Sequence, residues 1–418
     1  MNPVMEHVLR AQTVDGHEHL LLPSERVREN TGFFEISHYI EADLYSAGAE
    51  IPLAGKHLEG NIDLFLAHYP HIKNTACGKT VPMIFELYGM DGGVNEKTLR
   101  VLDGKIRENS QSLERATAWY DEIFKKCGVA AALSVHSGWG NLCGSSREYP
   151  AIRPVAYLDF LLRRFQVEWL RRQCGSLPNL CGARFQDYLD YTENFLTRQF
   201  EGGVLAGKFG TPYWRSLDFG PPGGSAEAEA EYNSGEEAMP YFESFIFHYL
   251  LRRFEAQGLP VQFHTGHVTP AAADMPRYQL QWSDPSPFGR LAYQYPGLKF
   301  VLLHTGFPFQ EEYFSLVKNI PNIYADFSWI PIISPMRAKL ALHMALEMVP
   351  CNKIIGFGGD AYHVEALYAH LRAAKAVIGE VLSEKVRDGW FTEAEAKESA
   401  DKILYENPRE IYGLGAAN

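Results

Sequence analysis

The sequence predicts an α/β fold, a (β/α)8 barrel with a helical insertion after its first strand and extra helices at its C-terminus. Three observations carry this expectation. Eight short apolar runs rich in β-branched residues recur along the 418 residues, and amphipathic stretches separate most of them. No G-x-G-x-x-G follows any of the runs, which argues against an open dinucleotide-binding sheet. Near-continuous apolar strands alternating with helices indicate a parallel sheet covered on both faces. Eight such units favour closure into a barrel, which needs about 250 residues. Hydrophobic residues at 46% and charged residues at 22% are ordinary globular values and exclude general disorder.

The first run is 13–17 (TVDGH), and residues 21–127 then read mainly as helices with aromatic spots. The remaining runs are 131–136, 153–159, 204–209, 260–264, 299–304, 323–327 and 354–357. Segments 158–173 and 243–257 have helical amphipathicity. Segment 220–237 (GPPGGSAEAEAEYNSGEE) reads as a long loop, either a solvated surface loop or a lid. Helices are expected after Asp360. The whole chain, 1–418, is expected to form a single metal-dependent barrel domain, with the insertion at approximately 21–127 covering the pocket.

The net charge of −12 makes a poor partner for a phosphate backbone, so nucleic acid is not expected. No apolar h-region opens the chain and no stretch approaches 18 uninterrupted apolar residues, so no membrane partner is expected. Six scattered cysteines without a C-x-x-C pair fit a reduced, cytoplasmic setting.

Metal-capable side chains fall at the C-terminal ends of the predicted strands. His17 and His19 end the first, His264 the fifth and His304 the sixth, and Asp360 follows the eighth. Residues two apart on a strand point the same way, so His17 and His19 can chelate one ion together. Imidazole and carboxylate suit Zn²⁺, with Mn²⁺ or Fe²⁺ as alternatives. Barrel active sites lie at this end of the strands, which is where all five residues fall. A lone histidine would read as a hydrogen-bonded core residue; five suitable side chains at four strand ends read as a metal site.

VDGHEH (14–19), FHTGH (263–267), LLHTG (302–306) and FGGDAY (357–362) resemble the amidohydrolase superfamily, specifically its amidohydrolase-2 branch of metal-dependent TIM-barrel hydrolases and decarboxylases. The ending ILYENPREIYGL (403–414) is similar to the terminal helix of that branch, and HYIEADLYSAGAE and VPMIFELYG within the insertion resemble uronate isomerases. The resemblance implies metal binding by His17, His19, His264 and Asp360, with one ion favoured over two. It makes His304 a catalytic acid/base or electrophile, and Asp360 can also move the proton of water activated by the ion.

Lys208, on the fourth strand, has three readings: a carboxylated, metal-bridging lysine, a substrate-anion contact, or a structural ion pair. Arg215 is a candidate clamp for a substrate carboxylate. Glu18 is expected to point away from the metal, Asp326 to orient a ligand histidine, and His363 to begin a helix. The reading that results is a hydrolase acting on an amide, lactone or related C–N or C–O bond of a small anionic substrate. Decarboxylation, uronate-isomerase-like aldose–ketose chemistry and a non-catalytic metal- or ligand-binding barrel stand as alternatives. A homo-oligomer is left open.

Overall fold

Eight strands form one sheet in sequence order, and the barrel expectation holds. They are β1 (Thr13–Glu18), β2 (Val129–Val135), β3 (Ile152–Tyr157), β4 (Ala206–Phe209), β5 (Val261–Phe263), β6 (Phe300–Leu302), β7 (Ile323–Asp326) and β8 (Ile354–Ile355). This computed structural model describes residues 2–37, 39–50, 58–135, 145–163, 183–235, 238–269 and 279–415. Each strand coincides with one of the apolar runs, but β5, β6 and β8 stop short of the polar residues that end those runs. His264, His304 and Asp360 therefore lie beyond the ladder, where the backbone is no longer held to extended geometry. Parallel pairing sets Phe209 opposite Phe263, Phe263 opposite Leu302 and Leu302 opposite Ala325.

The chain divides into two compact units. One comprises Met1–Ala132, Val268–Tyr278 and Asp326–Arg409. It contains β1, β8, the helical insertion and the long helix Val364–Arg387. Its insertion is helical for local reasons. Ser112 caps helix Leu113–Cys127 by accepting from Arg115 N, and Gly128 ends it in the left-handed region at φ 68°. Asn95 and Thr98 form a reciprocal cap on Glu96–Glu108. These helices bury their own core, in which Phe33, Phe34, Phe65, Ile84, Leu99 and Leu102 pack together.

A buried ion pair crosses that core. Arg26 donates to Glu365 Oε1 at 2.7 Å and Oε2 at 3.0 Å, and neither side chain is exposed. Tyr88 Oη and Trp119 Nε1 donate to the same Oε1 at 2.7 and 2.9 Å. Three elements of the insertion thus converge on one carboxylate of the Val364–Arg387 helix. Burial alone would raise the Glu365 pKa, but the Arg26 charge and the hydrogen bonds outweigh it and hold the group at about 2.

The other unit comprises Leu133–His267, Gln279–Ala325 and Glu410–Asn418. Segment 220–237 departs from the loop expected there: Ser225–Ser234 is an α-helix closed by Gly235 in the left-handed region. Alternating Ala and Glu have high helix propensity, and Ala228 and Tyr232, four apart, are buried. Tyr232 packs against Tyr188 and Phe242, which fixes the segment to its neighbours. Segment 158–173 opens as a short 3₁₀ turn, Asp159–Leu162, and its residues from 164 onward lie outside the described ones. The helix expected at 243–257 is present as Pro240–Ala256. Among the described residues, no helix is long and apolar enough to cross a membrane.

Removing one partner of a buried pair leaves an uncompensated charge. Glu365→Ala is therefore expected to destabilise the protein by about 3–5 kcal/mol in urea unfolding. Because the folded pKa of Glu365 is depressed, its contribution is full above the unfolded value of about 4.3. It is lost as pH falls toward about 2. The wild type should lose stability over that window, and Glu365→Ala should show a shallower decline.

Candidate metal centre

β1 and the turn after β8 bring three donors together. His17 Nε2 lies 3.4 Å and His19 Nε2 3.3 Å from Asp360 Oδ1, and the donor atoms of all three are mutually within 4.8 Å. The backbone explains the convergence. Asp360 N donates to His17 O at 2.9 Å, His19 N to Ala361 O at 3.0 Å and Gly16 N to Phe357 O at 3.0 Å, so the turn runs alongside β1. Asp360 is held at φ 52°, a left-handed conformation that costs a non-glycine residue about 1–3 kcal/mol and concentrates at functional sites. Side-chain exposure of 1% at His17 and 22% at His19 leaves the second imidazole as the accessible one.

The donor set fits a divalent ion. A tetrahedral ion with bonds of about 2.0–2.2 Å places neighbouring ligand atoms about 3.3–3.5 Å apart, and the two His–Asp separations match that spacing. Two imidazoles and a carboxylate suit Zn²⁺ and also Mn²⁺ or Fe²⁺. Tyr362 stacks on His19 with ring centroids 5.2 Å apart, and burial pushes its phenol up to about 12, so it packs as a neutral ring.

The second unit holds a histidine pair. His264 Nε2 faces His267 O at 2.7 Å, and His264 Nδ1 faces His304 Nε2 at 3.1 Å. The carbonyl can only accept, so the proton belongs on Nε2 and Nδ1 carries the lone pair. This is how a ligating histidine is usually oriented by a backbone carbonyl. His267 thus takes part through its carbonyl. His304 and Thr305 stand at φ 65° and 51°. Tyr213 packs against His264 with ring centroids 4.8 Å apart.

Lys208 is 3% exposed on β4, opposite Tyr157 and Gln262. Its charge acts on Asp159, a buried carboxylate that sequence reasoning overlooked. Burial raises the Asp159 pKa, while Gly210 N at 2.5 Å, Trp214 Nε1 at 3.0 Å, Thr211 Oγ1 at 2.9 Å and the Lys208 charge oppose the rise. The Asp159 carboxyl therefore lies within electrostatic reach of Lys208. Arg215 requires a correction. Its guanidinium pairs with Glu243, donates to Ser216 O and Asp218 O, and lies 4.1 Å over the Phe219 ring. The clamp expected to await a substrate carboxylate holds one of the protein's own.

Other expectations resolve simply. His363 is the N-cap of the Val364–Arg387 helix. Asp326 accepts Ser328 N at 2.8 Å and so caps the turn after its own strand. His136 and Trp139, which follow the second predicted strand, lie outside the described residues. Asp15 and Glu18 carry more weight than their sequence positions suggest: both are fully buried, and burial pushes both carboxyls upward, Asp15 to about 7. A second acid beside each H-x-H residue was the available signal, but parity alone directs Glu18 away.

With this geometry in view, the sequence model described as Amidohydrolase matches residues 215–414. Those 200 residues, a little under half of the chain, are similar to that family. The matching segment contains His264, His304 and Asp360 but not β1. Protein fluG of Emericella nidulans is 29% identical over 156 residues, 37% of this chain, and the match spans only 17% of fluG's own length. Glucuronate isomerase from Caulobacter crescentus superposes with a TM-score of 0.76 at 17% identity, covering 99% of this chain and 94% of that one. A candidate metal-dependent hydrolase from Lactobacillus casei superposes at 0.69 with 17% identity, covering 99% and 98%. At these identities the superpositions speak for the fold.

Asp360→Ala is expected to lower divalent-metal content well below that of the wild type, because removing one of three converging donors breaks the chelate. Elemental analysis of purified protein, with melting measured alongside to exclude unfolding, checks this.

Proposed function

We propose that this chain is a metal-dependent hydrolase that cleaves an amide, lactone or related C–N or C–O bond of a small, carboxylate-bearing substrate. The convergence of His17, His19 and Asp360 carries this reading. The family resemblance adds His264 to the proposed ligands, one ion is favoured, and Zn²⁺ is its first candidate. A divalent ion supplies Lewis acidity, polarising a carbonyl and lowering the pKa of water toward about 7. Asp360 accepts the proton of the attacking water and returns it to the leaving group. His304 donates from Nε2 to the oxyanion that develops on the carbonyl, once His264 Nδ1 is taken up as a ligand. The net charge of −12 disfavours nucleic acid as the partner and leaves a small molecule as the expected one.

Aldose–ketose isomerisation is the second reading, favoured by the end-to-end superposition on glucuronate isomerase, insertion included. The two reactions differ in what they take from solvent. Turnover in H₂¹⁸O is expected to put label into the hydrolysis product as a new C–O bond. An isomerase would instead exchange solvent deuterium at carbon, and CO₂ release without label would indicate decarboxylation. His304→Ala is expected to keep its metal and lose about 10²–10⁴-fold in kcat. A metal-free His304→Ala protein with His17 intact would contradict the assigned roles.

A further inference from the structure

The turn 358–361 presents a backbone problem. Its amides at 359, 360 and 361 are buried in succession, and a flanking strand offers carbonyls on only every second residue. β1 serves the middle amide with a carbonyl, His17 O at 2.9 Å. It serves the outer two with side chains. Asp15 Oδ1 accepts Gly359 N at 3.1 Å and also His17 N at 3.2 Å, within its own strand. Glu18 Oε2 accepts Ala361 N. From behind, His370 Nδ1 donates to Gly359 O at 2.6 Å. The fit is tight, for a Cβ on Gly359 would run into the Glu18 carboxyl and one on Gly358 into Ser328.

We propose that Asp15 and Glu18 are positioning residues: their carboxyls grip the amides on either side of Asp360, and this grip imposes the left-handed turn that delivers Asp360 Oδ1 to His17 and His19. The proposal rests on the metal-centre reading above. Neither acid is a ligand. Each works through the backbone, and a single strand supplies both the ligand pair H-x-H and the acids that aim the third ligand at it. The motif D-G-H-E-H (15–19) thus has two interleaved functions, with residues 17 and 19 facing the ion and residues 15 and 18 holding the opposing turn.

The test uses the full-length protein, stripped with chelator and titrated with Co²⁺, whose ligand-field absorption reports both affinity and ligand geometry. Wild type should show a saturable band that His17→Ala abolishes. Glu18→Ala should bind about 10–100-fold more weakly, as loss of a group that orients a ligand does, with an altered band. Glu18→Gln keeps an oxygen for Ala361 N, and Asp15→Asn keeps one for Gly359 N; both should stay within about threefold of wild type. Apo-protein melting is measured beside each titration, because a merely structural role would lower melting without changing the band. Glu18→Ala with wild-type affinity and spectrum overturns the proposal and leaves the metal centre standing. So does a Glu18→Gln variant as weak as Glu18→Ala, since it would assign the effect to charge and not to the amide contact. If Glu18→Ala does not fold, the two amide variants decide, retained binding supporting the proposal and loss overturning it. A wild type that takes up no Co²⁺, or a His17→Ala variant that binds unchanged, overturns the metal-centre reading and this proposal with it.

Discussion

Buried backbone N–H groups must find acceptors, and at 359–361 all three find them on β1. That requirement organises the metal group. It fixes where the chain can go after β8, it makes Asp360 adopt φ 52°, and it leaves the Asp360 carboxylate facing the two imidazoles. It also explains the composition of the turn. Phe357 closes the ladder through its carbonyl, and Gly358 and Gly359 follow where side chains would collide with Ser328 and Glu18. The chemistry-bearing residue then comes next in sequence.

The helical insertion serves the same unit by other means. Its core of Phe33, Phe34, Phe65 and the aliphatics around them would hold helices together without help. The buried Arg26–Glu365 pair adds specificity of placement, because Tyr88, Trp119 and Arg26 satisfy one carboxylate only when their three helices are correctly docked. Glu365 lies five residues beyond Asp360, at the start of the helix that His363 caps. Insertion, helix start and metal group are therefore coupled over a few residues of chain.

The strands were legible because buried parallel strands are mostly apolar on both faces, and runs such as 299–304 and 354–357 are nearly continuous in apolar residues. The H-x-H pair was legible from strand parity, and the end of each run correctly located the polar residues after β5, β6 and β8. What sequence could not convey was local curvature and distant partners. Nothing in the string FGGDAY states that Asp360 is left-handed, and nothing near Arg215 announces Glu243, which comes from a helix 28 residues on. The segment at 225–234 was misread because alternating Ala and Glu look like low complexity until Ala228 and Tyr232 are seen buried four apart. Glu18 was set aside by parity, which describes side-chain direction on a regular strand but not what a neighbouring turn brings to meet it.

The Arg26–Glu365 pair spans 339 positions. A ribosome adding about 5–20 residues per second delivers Arg26 roughly 20–70 s before its partner. Throughout that interval the insertion can assemble its aromatic core, yet the Arg26 guanidinium has no carboxylate partner. The segment made earlier is thus finished later. Its buried interior becomes final only when the Val364–Arg387 helix has left the exit tunnel.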